Sequence, residues 1–245
     1  MHVKYVDHYL NDAMVAHIAR LSFDNFDKLF SQDENDKLIK FLARGMPSLE
    51  WEELLVKIQC SKSMDEAREI ATYIRNIPTH WVPFAHPHIT LSVSSPVPIR
   101  TQCFKHKVGF VESEVSRRYI TSTPELFIPD SIRKVAKNKK QGSDGSHQDS
   151  ELIKEKFVES TNRSLNDYLE AIEKNVCPEQ ARFLLPQGAE VRWVWTGSLY
   201  AFSNFYIQRS DPHAQKEIQE LAKEVDRIIA PLFPVSWSAL TKGNY

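Results

Sequence analysis

A fold that mixes helices with strands is predicted by two kinds of periodicity in this sequence. Residues 89–93 (Ile-Thr-Leu-Ser-Val) and 190–196 (Glu-Val-Arg-Trp-Val-Trp-Thr) alternate, the period of a strand with one face buried. Longer stretches between and around them repeat apolar residues at helical spacing.

In chain order, residues 3–9 form a first strand. Residues 11–21 are a helix capped by Asn11 or Asp12, with Met14, Ile18 and Leu21 at helical spacing. Residues 33–43 are a second helix, with Leu38, Ile39 and Leu42 inward, and Gly45 and Pro47 stop it. Residues 50–58 and 64–74 read as a helical hairpin on the outside, facing inward through Leu54, Leu55 and Ile58 and through Ala67, Ile70, Ala71 and Ile74. The strand at 89–93 ends at Pro96 and Pro98, and residues 99–104 lead into a basic segment. Residues 119–128 are β-prone but broken at Pro124. Residues 133–146 are basic, then rich in Gly and Ser, and are expected to be a mobile surface loop with solvated lysines. A long helix over 147–174 carries the stripe Ile153, Phe157, Leu165, Leu169 and Ile172. A short helix runs from Pro178 to Leu185. The aromatic strand at 190–196 buries its Trp residues, and a helix over 198–208 turns Leu199, Phe202 and Phe205 to one face. Asp211 is expected to cap the last long helix, with Pro212 in its first position and Ala214, Ile218, Leu221, Ala222, Val225 and Ile229 inward. Arg209 then sits at a junction between two helices.

The composition is that of a water-soluble protein: 42% hydrophobic and 26% charged residues, and 31 basic against 32 acidic side chains. That balance carries no nucleic-acid signature over the whole chain. No apolar run approaches the roughly 20 residues that cross a bilayer, and the first residues lack the apolar core of a signal peptide, so a cytoplasmic protein is expected. The 3 cysteines, Cys60, Cys103 and Cys177, form no metal-ligand spacing and no CxxC pair. His80, His86 and His88 cluster around Pro87 without a Cys or carboxylate, so no metal site is expected. With only 7 glycines, a Gly-rich phosphate cradle is absent.

The chemistry concentrates between Gln102 and Tyr119. Lys105, His106 and Lys107 are followed by Ser116, Arg117 and Arg118, with Val108, Phe110, Val111 and Val115 between them as anchors. Lys and Arg beside a Ser hydroxyl suit a phosphate ester; a solvated charged loop is the plain alternative.

These residues have company elsewhere, and the set resembles the flavin-dependent thymidylate synthases. That family's Arg-His-Arg, spacer and Glu-x-Ser-x-Arg-Tyr resemble Lys105-His106-Lys107 and Glu114-Val115-Ser116-Arg117-Arg118-Tyr119, with Gln102 in the place of its preceding Gln. Its His-x-Thr-Pro-Phe-Glu-His is similar to His80-Trp-Val-Pro83-Phe84-Ala-His86. Its Ala-Arg-Val-Ser is similar to Ala19-Arg20-Leu21-Ser22, and its Ala-Arg-x-x-Leu-Pro to the stretch from Ala181-Arg182 to Pro186. Its Asn-Phe-x-x-x-Arg-x-Asp-x-His-Ala-Gln is similar to Asn204 through Gln215. Both arginines of Arg-His-Arg are lysines here, which keep the charge and lose the planar fork. The spacer is one residue longer, Ser113 and Ala85 replace the family's Asn and Glu, and Ser198-Leu199-Tyr200 stands where Asn-x-Arg is frequent.

The resemblance implies one α+β domain over residues 1–245, an antiparallel sheet flanked by helices, with a helical insertion near 46–78. It implies reductive methylation of dUMP to dTMP with FAD as cofactor and NADPH and methylenetetrahydrofolate as co-substrates. It implies a homotetramer with active sites between subunits. Residues for dUMP would be Gln102, Lys105, Glu114, Ser116, Arg117, Arg118, Arg182 and Arg209, with Arg209 catalytic at the pyrimidine. Residues for FAD would be His80, Val82, Lys105, His106, Lys107, Glu114, Ser198, Tyr200 and Asn204. No cysteine has an activating partner nearby in sequence, which agrees with chemistry that needs no Cys nucleophile. Two alternatives stay open: a sister enzyme modifying C5 of another pyrimidine nucleotide, hydroxymethylation included, and a relative that binds nucleotide or RNA without catalysis.

Overall fold

A computed structural model describes residues 1–137 and 142–241, Arg75 by its backbone alone. The elements run β1 (His2–Tyr9), α1 (Asp12–Arg20), α2 (Gln32–Arg44), α3 (Ser48–Gln59), α4 (Met64–Asn76), α5 (Val82–Ala85), β2 (His88–Pro96), α6 (Val97–Cys103) and β3 (Phe110–Glu114). They continue as β4 (Arg133–Val135), β5 (Ser143–Ser146), α7 (Ser150–Glu173), α8 (Pro178–Ala181), β6 (Glu190–Ser198), α9 (Leu199–Ser210), α10 (Lys216–Leu232) and α11 (Pro234–Thr241). The fold is mixed, with an antiparallel sheet. Its residues fall into two compact units.

The first unit comprises Met1–Val6, Thr90–Thr196 and Gln208–Val225. It carries most of a 4-stranded sheet in the order β1-β2-β6-β3. Alternation sets the buried face: Leu91 and Val93 of β2 and Trp193 and Trp195 of β6 are all fully buried. Phe110 of β3 stacks on Trp195, ring centroids 4.4 Å apart. Of the apolar residues expected to anchor this segment, Phe110 is buried and Val115 half-buried; Val111 turns to the opposite face of β3 and is 72% exposed, and Val108, in the turn before the strand, is 92% exposed. Pro96 and Pro98, read as strand stops, also start a helix: Pro98 lies in the first turn of α6, where a missing N–H costs nothing.

The expected mobile loop at 133–146 is different in the structure. Its described ends form a two-stranded antiparallel ribbon, β4 with β5, and Arg133 is held by Glu217 at 2.6 Å. Residues 138–141 of that expectation lie outside the described residues. The β-prone stretch at 119–128 contributes only an isolated bridge, Leu126 to Ala189. The long helix begins at Ser150 rather than 147, and its expected stripe is only half-buried at Ile153, Leu165, Leu169 and Ile172 and exposed at Phe157, whereas Tyr168, outside that stripe, is buried. Asp211 does not cap α10. Its carboxylate accepts from the His213 N–H at 2.7 Å in a local turn, and the helix starts at Lys216. The expected inward residues from Ile218 to Ile229 are buried.

The second unit comprises Asp7–Ile89, Gly197–Ile207 and Asp226–Tyr245. Asn11 caps α1 by accepting from Met14 N, and Ser31 with Glu34 forms a capping box on α2. Val15 and Ala16, rather than Met14 and Leu21, are the buried apolar residues of α1. The reason is Asp12, whose carboxylate accepts from Val235 N (2.8 Å) and Ser236 N (3.1 Å). That caps the start of α11, a helix not foreseen, and sets the rotation of α1.

Residues 46–78, expected to be a helical insertion, form the hairpin of α3 and α4, whose inward residues are only half-buried and whose Ala71 is exposed. Its base is closed by backbone contacts. Thr79 Oγ1 donates to Ala43 O (3.1 Å) and His80 N to Leu42 O (2.9 Å). Gly45 ends α2 in the left-handed region, φ 70°, and a Cβ there would lie 2.5 Å from Ile77 and 2.6 Å from the Pro78 carbonyl oxygen.

Candidate active site

A cleft of about 630 Å³ in the first unit gathers residues from three parts of the chain. Glu114, Ser116, Arg117 and Arg118 arrive at the end of β3, Arg182 follows α8, and Val97 and Arg100 come from one face of α6. Five of the residues expected to bind nucleotide thus share one concavity: Glu114, Ser116, Arg117, Arg118 and Arg182. The turn after β3 is built locally, since Ser116 Oγ accepts from Arg118 N (3.3 Å) and Ser116 O from Tyr119 N (3.1 Å). Arg182 Nε donates to Glu179 O at 3.2 Å, and an Arg117 amine donates to Ser122 O. Anchored guanidiniums around a hydroxyl are suited to a phosphate, because their hydrogen bonds to it are charge-assisted and their geometry is set beforehand.

Arg100 was missed in the sequence because no motif names it. Its Nε lies 3.1 Å from Glu114 Oε2, and its guanidinium carbon 5.2 Å from the centre of the Phe104 ring. Burial raises the Glu114 carboxyl above its ordinary range, and Arg100 opposes that rise. Only the helical phase of α6 places Arg100 in the cleft, and that helix was not predicted.

Gln102, Lys105 and Arg209 do not line the cleft. Arg209, in the last turn of α9, donates from Nε to His106 Nε2 at 2.9 Å and from an amine to Gln102 O at 3.4 Å. Gln102 donates to Gln215 Oε1 (2.6 Å), Gln215 to Glu217 (2.9 Å), and Glu217 is the partner of Arg133. Arg209 therefore sits at one end of a polar chain that begins on β4. Burial, reinforced by the adjacent Arg209, pushes the His106 ring down to about 4. The neutral ring accepts at Nε2 and carries its proton on Nδ1. Lys107 pairs with Glu112 and lies 5.4 Å from the Phe104 ring centre. Lys105 is exposed.

Burial pushes the Cys103 thiol up to about 12, with Arg209 only partly opposing it, so Cys103 is no thiolate at neutral pH. Cys60 and Cys177 are exposed and free. Among the described residues no group of three or more His, Cys, Asp or Glu could hold a metal ion. His88 Nδ1 instead donates to the His86 carbonyl at 2.9 Å.

The second unit holds a different cavity, about 820 Å³, whose lining includes Arg20, Phe23, Phe41, His80, Trp81 and Val82. His80 stacks on Phe41, centroids 5.6 Å apart and planes 22° apart. Trp81 leans on Tyr200 at 5.9 Å. Arg20 is buried over the Phe30 ring at 3.6 Å and donates to Asn35. Of the residues expected to bind FAD, His80 and Val82 line this cavity, and Tyr200 packs at a tilt against its lining residue Trp81. Ser198 and half-buried Asn204 belong to the same unit, Ser198 as the cap of α9 through Ala201 N at 3.1 Å. Lys105, His106, Lys107 and Glu114 belong to the first unit.

Residues 4–235 match a family model described as thymidylate synthase complementing protein. Similar proteins include the flavin-dependent thymidylate synthase of Thermosipho africanus, 32% identical over 170 residues, which are 68% of this chain and 73% of that protein. The flavin-dependent thymidylate synthase of Pseudothermotoga lettingae is 23% identical over 243 residues, 99% of this chain and 91% of that protein. Among solved structures, a UMP/dUMP methylase PolB from Streptomyces cacaoi bound with 5-Br dUMP superposes with a TM-score of 0.76. It is 21% identical, over 99% of this chain and 95% of that one, a likeness of fold.

Proposed function

This chain belongs to the flavin-dependent thymidylate synthase family, and we propose that it converts dUMP to dTMP with methylenetetrahydrofolate, FAD and NADPH. The observation that carries the reading is the cleft in which Ser116, Arg117, Arg118 and Arg182 converge with Glu114. We assign the nucleotide phosphate to Ser116, Arg118 and Arg182, with Arg117 and Glu114 beside them. Gln102, Lys105 and Arg209 serve the same nucleotide. They lie outside the cleft of the single chain, which supports a homotetramer whose active sites draw on more than one subunit.

FAD fits the residues present. A cavity of about 820 Å³ walled by the rings of Phe23, Phe41, His80 and Trp81 suits a flat, polarisable ring system. His80, Val82, Ser198, Tyr200 and Asn204 would hold it, together with Lys105, His106, Lys107 and Glu114. Bound and reduced by NADPH, it would supply the hydride for the reductive step. Arg209 acts on the pyrimidine: a fixed cation next to N3 and O4 favours the anionic ring and makes C5 nucleophilic. His106, neutral and accepting at Nε2, keeps the Arg209 fork oriented. The raised Cys103 thiol agrees with a route that uses no Cys nucleophile.

We further propose that the chain acts as one domain in the cytoplasm on small molecules rather than nucleic acid. β1, β2, β6, α9 and α10 each have residues in both compact units, and no helix among the described residues is long and apolar enough to cross a membrane. The test is direct. The purified protein should show flavin absorbance, or gain it on titration with FAD, and should release tritium from dUMP labelled at C5. A protein that stays colourless and releases none overturns the proposal.

A further inference from the structure

The cleft is lined by carboxylates as well as guanidiniums. Glu190 is one, and its Oε2 accepts from Ser94 Oγ at 2.8 Å. Glu114 is the other, partly buried beside the very arginines that would take an anion. A bare carboxylate there would repel a phosphate across a few ångströms of poorly screened space. Arg100 meets it at 3.1 Å, with both side chains about a quarter exposed, 25% and 29%. The contact is a charge pairing rather than an aligned hydrogen bond, for the buried Arg100 Nε has no hydrogen-bond partner. The pair also joins two elements: α6 carries Arg100 and the end of β3 carries Glu114.

We infer that Arg100 is a positioning residue of the nucleotide site: it holds Glu114 in place and offsets its charge, so that a nucleoside 5′-monophosphate meets the field of Arg117, Arg118 and Arg182. The inference rests on reading the cleft as the phosphate site. It differs from that reading in giving Arg100 no contact with the ligand. Arg100 acts through Glu114 alone, so its importance disappears once Glu114 carries no charge.

The experiment is a double-mutant cycle read by calorimetric titration of dUMP into the purified, flavin-loaded assembly. Arg100→Gln should weaken dUMP binding by about tenfold or more, because the uncompensated carboxylate opposes the phosphate. Arg100→Lys, which keeps the charge, should recover most of it. Arg100→Gln in the Glu114→Gln background should change the affinity by less than about twofold, since distant or uncoupled effects add and coupled ones vanish with the partner. That last comparison also stands if Arg100→Gln alone fails to fold, because the double variant leaves no orphaned charge. If the double variant binds dUMP about tenfold more weakly than Glu114→Gln, Arg100 touches the ligand itself and the inference is wrong. Deoxyuridine, which lacks the phosphate, should bind Arg100→Gln as it binds the wild type; an equal loss for deoxyuridine also sinks the idea. If the wild type ignores dUMP but binds dCMP with the same pattern across variants, the dUMP reading fails and the role of Arg100 stands. If it binds dUMP and Arg100→Gln binds equally well, the reverse holds. Binding of no nucleoside monophosphate overturns both.

Discussion

The cleft of the first unit and the cavity of the second are similar in size and opposite in chemistry. The cleft, about 630 Å³, is lined by Arg100, Arg117, Arg118 and Arg182 with Glu114 and Glu190. The cavity, about 820 Å³, is walled by aromatic and aliphatic side chains with Arg20 buried at its edge. One gathers localised charge and the other presents a largely aromatic and aliphatic wall. Under the proposed function, the contrast would separate two recognition problems. Charge-assisted contacts hold and orient a phosphate and weaken in salt, whereas apolar stacking is nearly indifferent to salt.

The largest expected effect tests the residue that belongs to neither concavity. Arg209→Ala should lower kcat about 10²–10³-fold with a modest change in KM for dUMP, since a cation facing the developing ring anion works mainly in the transition state. Arg209→Lys should recover little, because an ammonium lacks the fork that spans N3 and a neighbouring carbonyl. Steady-state kinetics at saturating FAD, folate and NADPH decides it, and a change confined to KM would move Arg209 into the binding class.

Next in size is the cleft itself. Arg118→Ala should raise KM for dUMP about 10- to 100-fold and leave kcat near the wild-type value, as a charge-assisted contact made in ground and transition states alike is lost. The defect should shrink as salt rises, because the wild type loses affinity too. FAD affinity should not change. If Arg118→Ala instead sheds the flavin, the separation of the two regions collapses.

The cavity offers the converse. Trp81→Ala should weaken FAD binding by about 3- to 10-fold, the worth of one aromatic contact, and leave the affinity for dUMP alone. Fluorescence titration of the apoprotein with FAD measures this. A salt-dependent loss would show that charge rather than stacking governs the cavity.

The smallest expected effect concerns His106, whose folded ring is depressed to about 4 from 6.5. Between those values the unfolded chain binds more protons, so the stabilisation is complete above pH 6.5 and is lost as pH falls toward 4. The ring is half-buried, and after solvent screening the loss is roughly 1 kcal/mol. Melting temperatures at pH 7 and pH 5 should differ less in His106→Gln than in the wild type. An equal difference would mean that burial and the adjacent Arg209 do not hold the ring neutral.

Much of this molecule was determined by sequence alone. Alternation placed β2 and β6 and buried Trp193 and Trp195, because strand period and aromatic residues act locally. Helical spacing placed α2, with Gly45 and Pro47 as its stop, and α9, and the run from Glu114 to Arg118 gathers cations and a hydroxyl in contiguous residues. What tertiary structure alone decided was rotation and partnership. Asp12 turned α1 so that Val15 and Ala16 face inward, a choice made by the start of α11 more than two hundred residues away. The stretch 133–146 looked like loop because its polar residues have no period, yet Arg133 meets Glu217 and its ends pair as a ribbon. Arg100 entered the cleft only because Pro98 opens a helix there, and its value depends on Glu114, which a different element delivers. Propensity and pattern are properties of neighbours in sequence, while a countercharge or a cap is a property of neighbours in space.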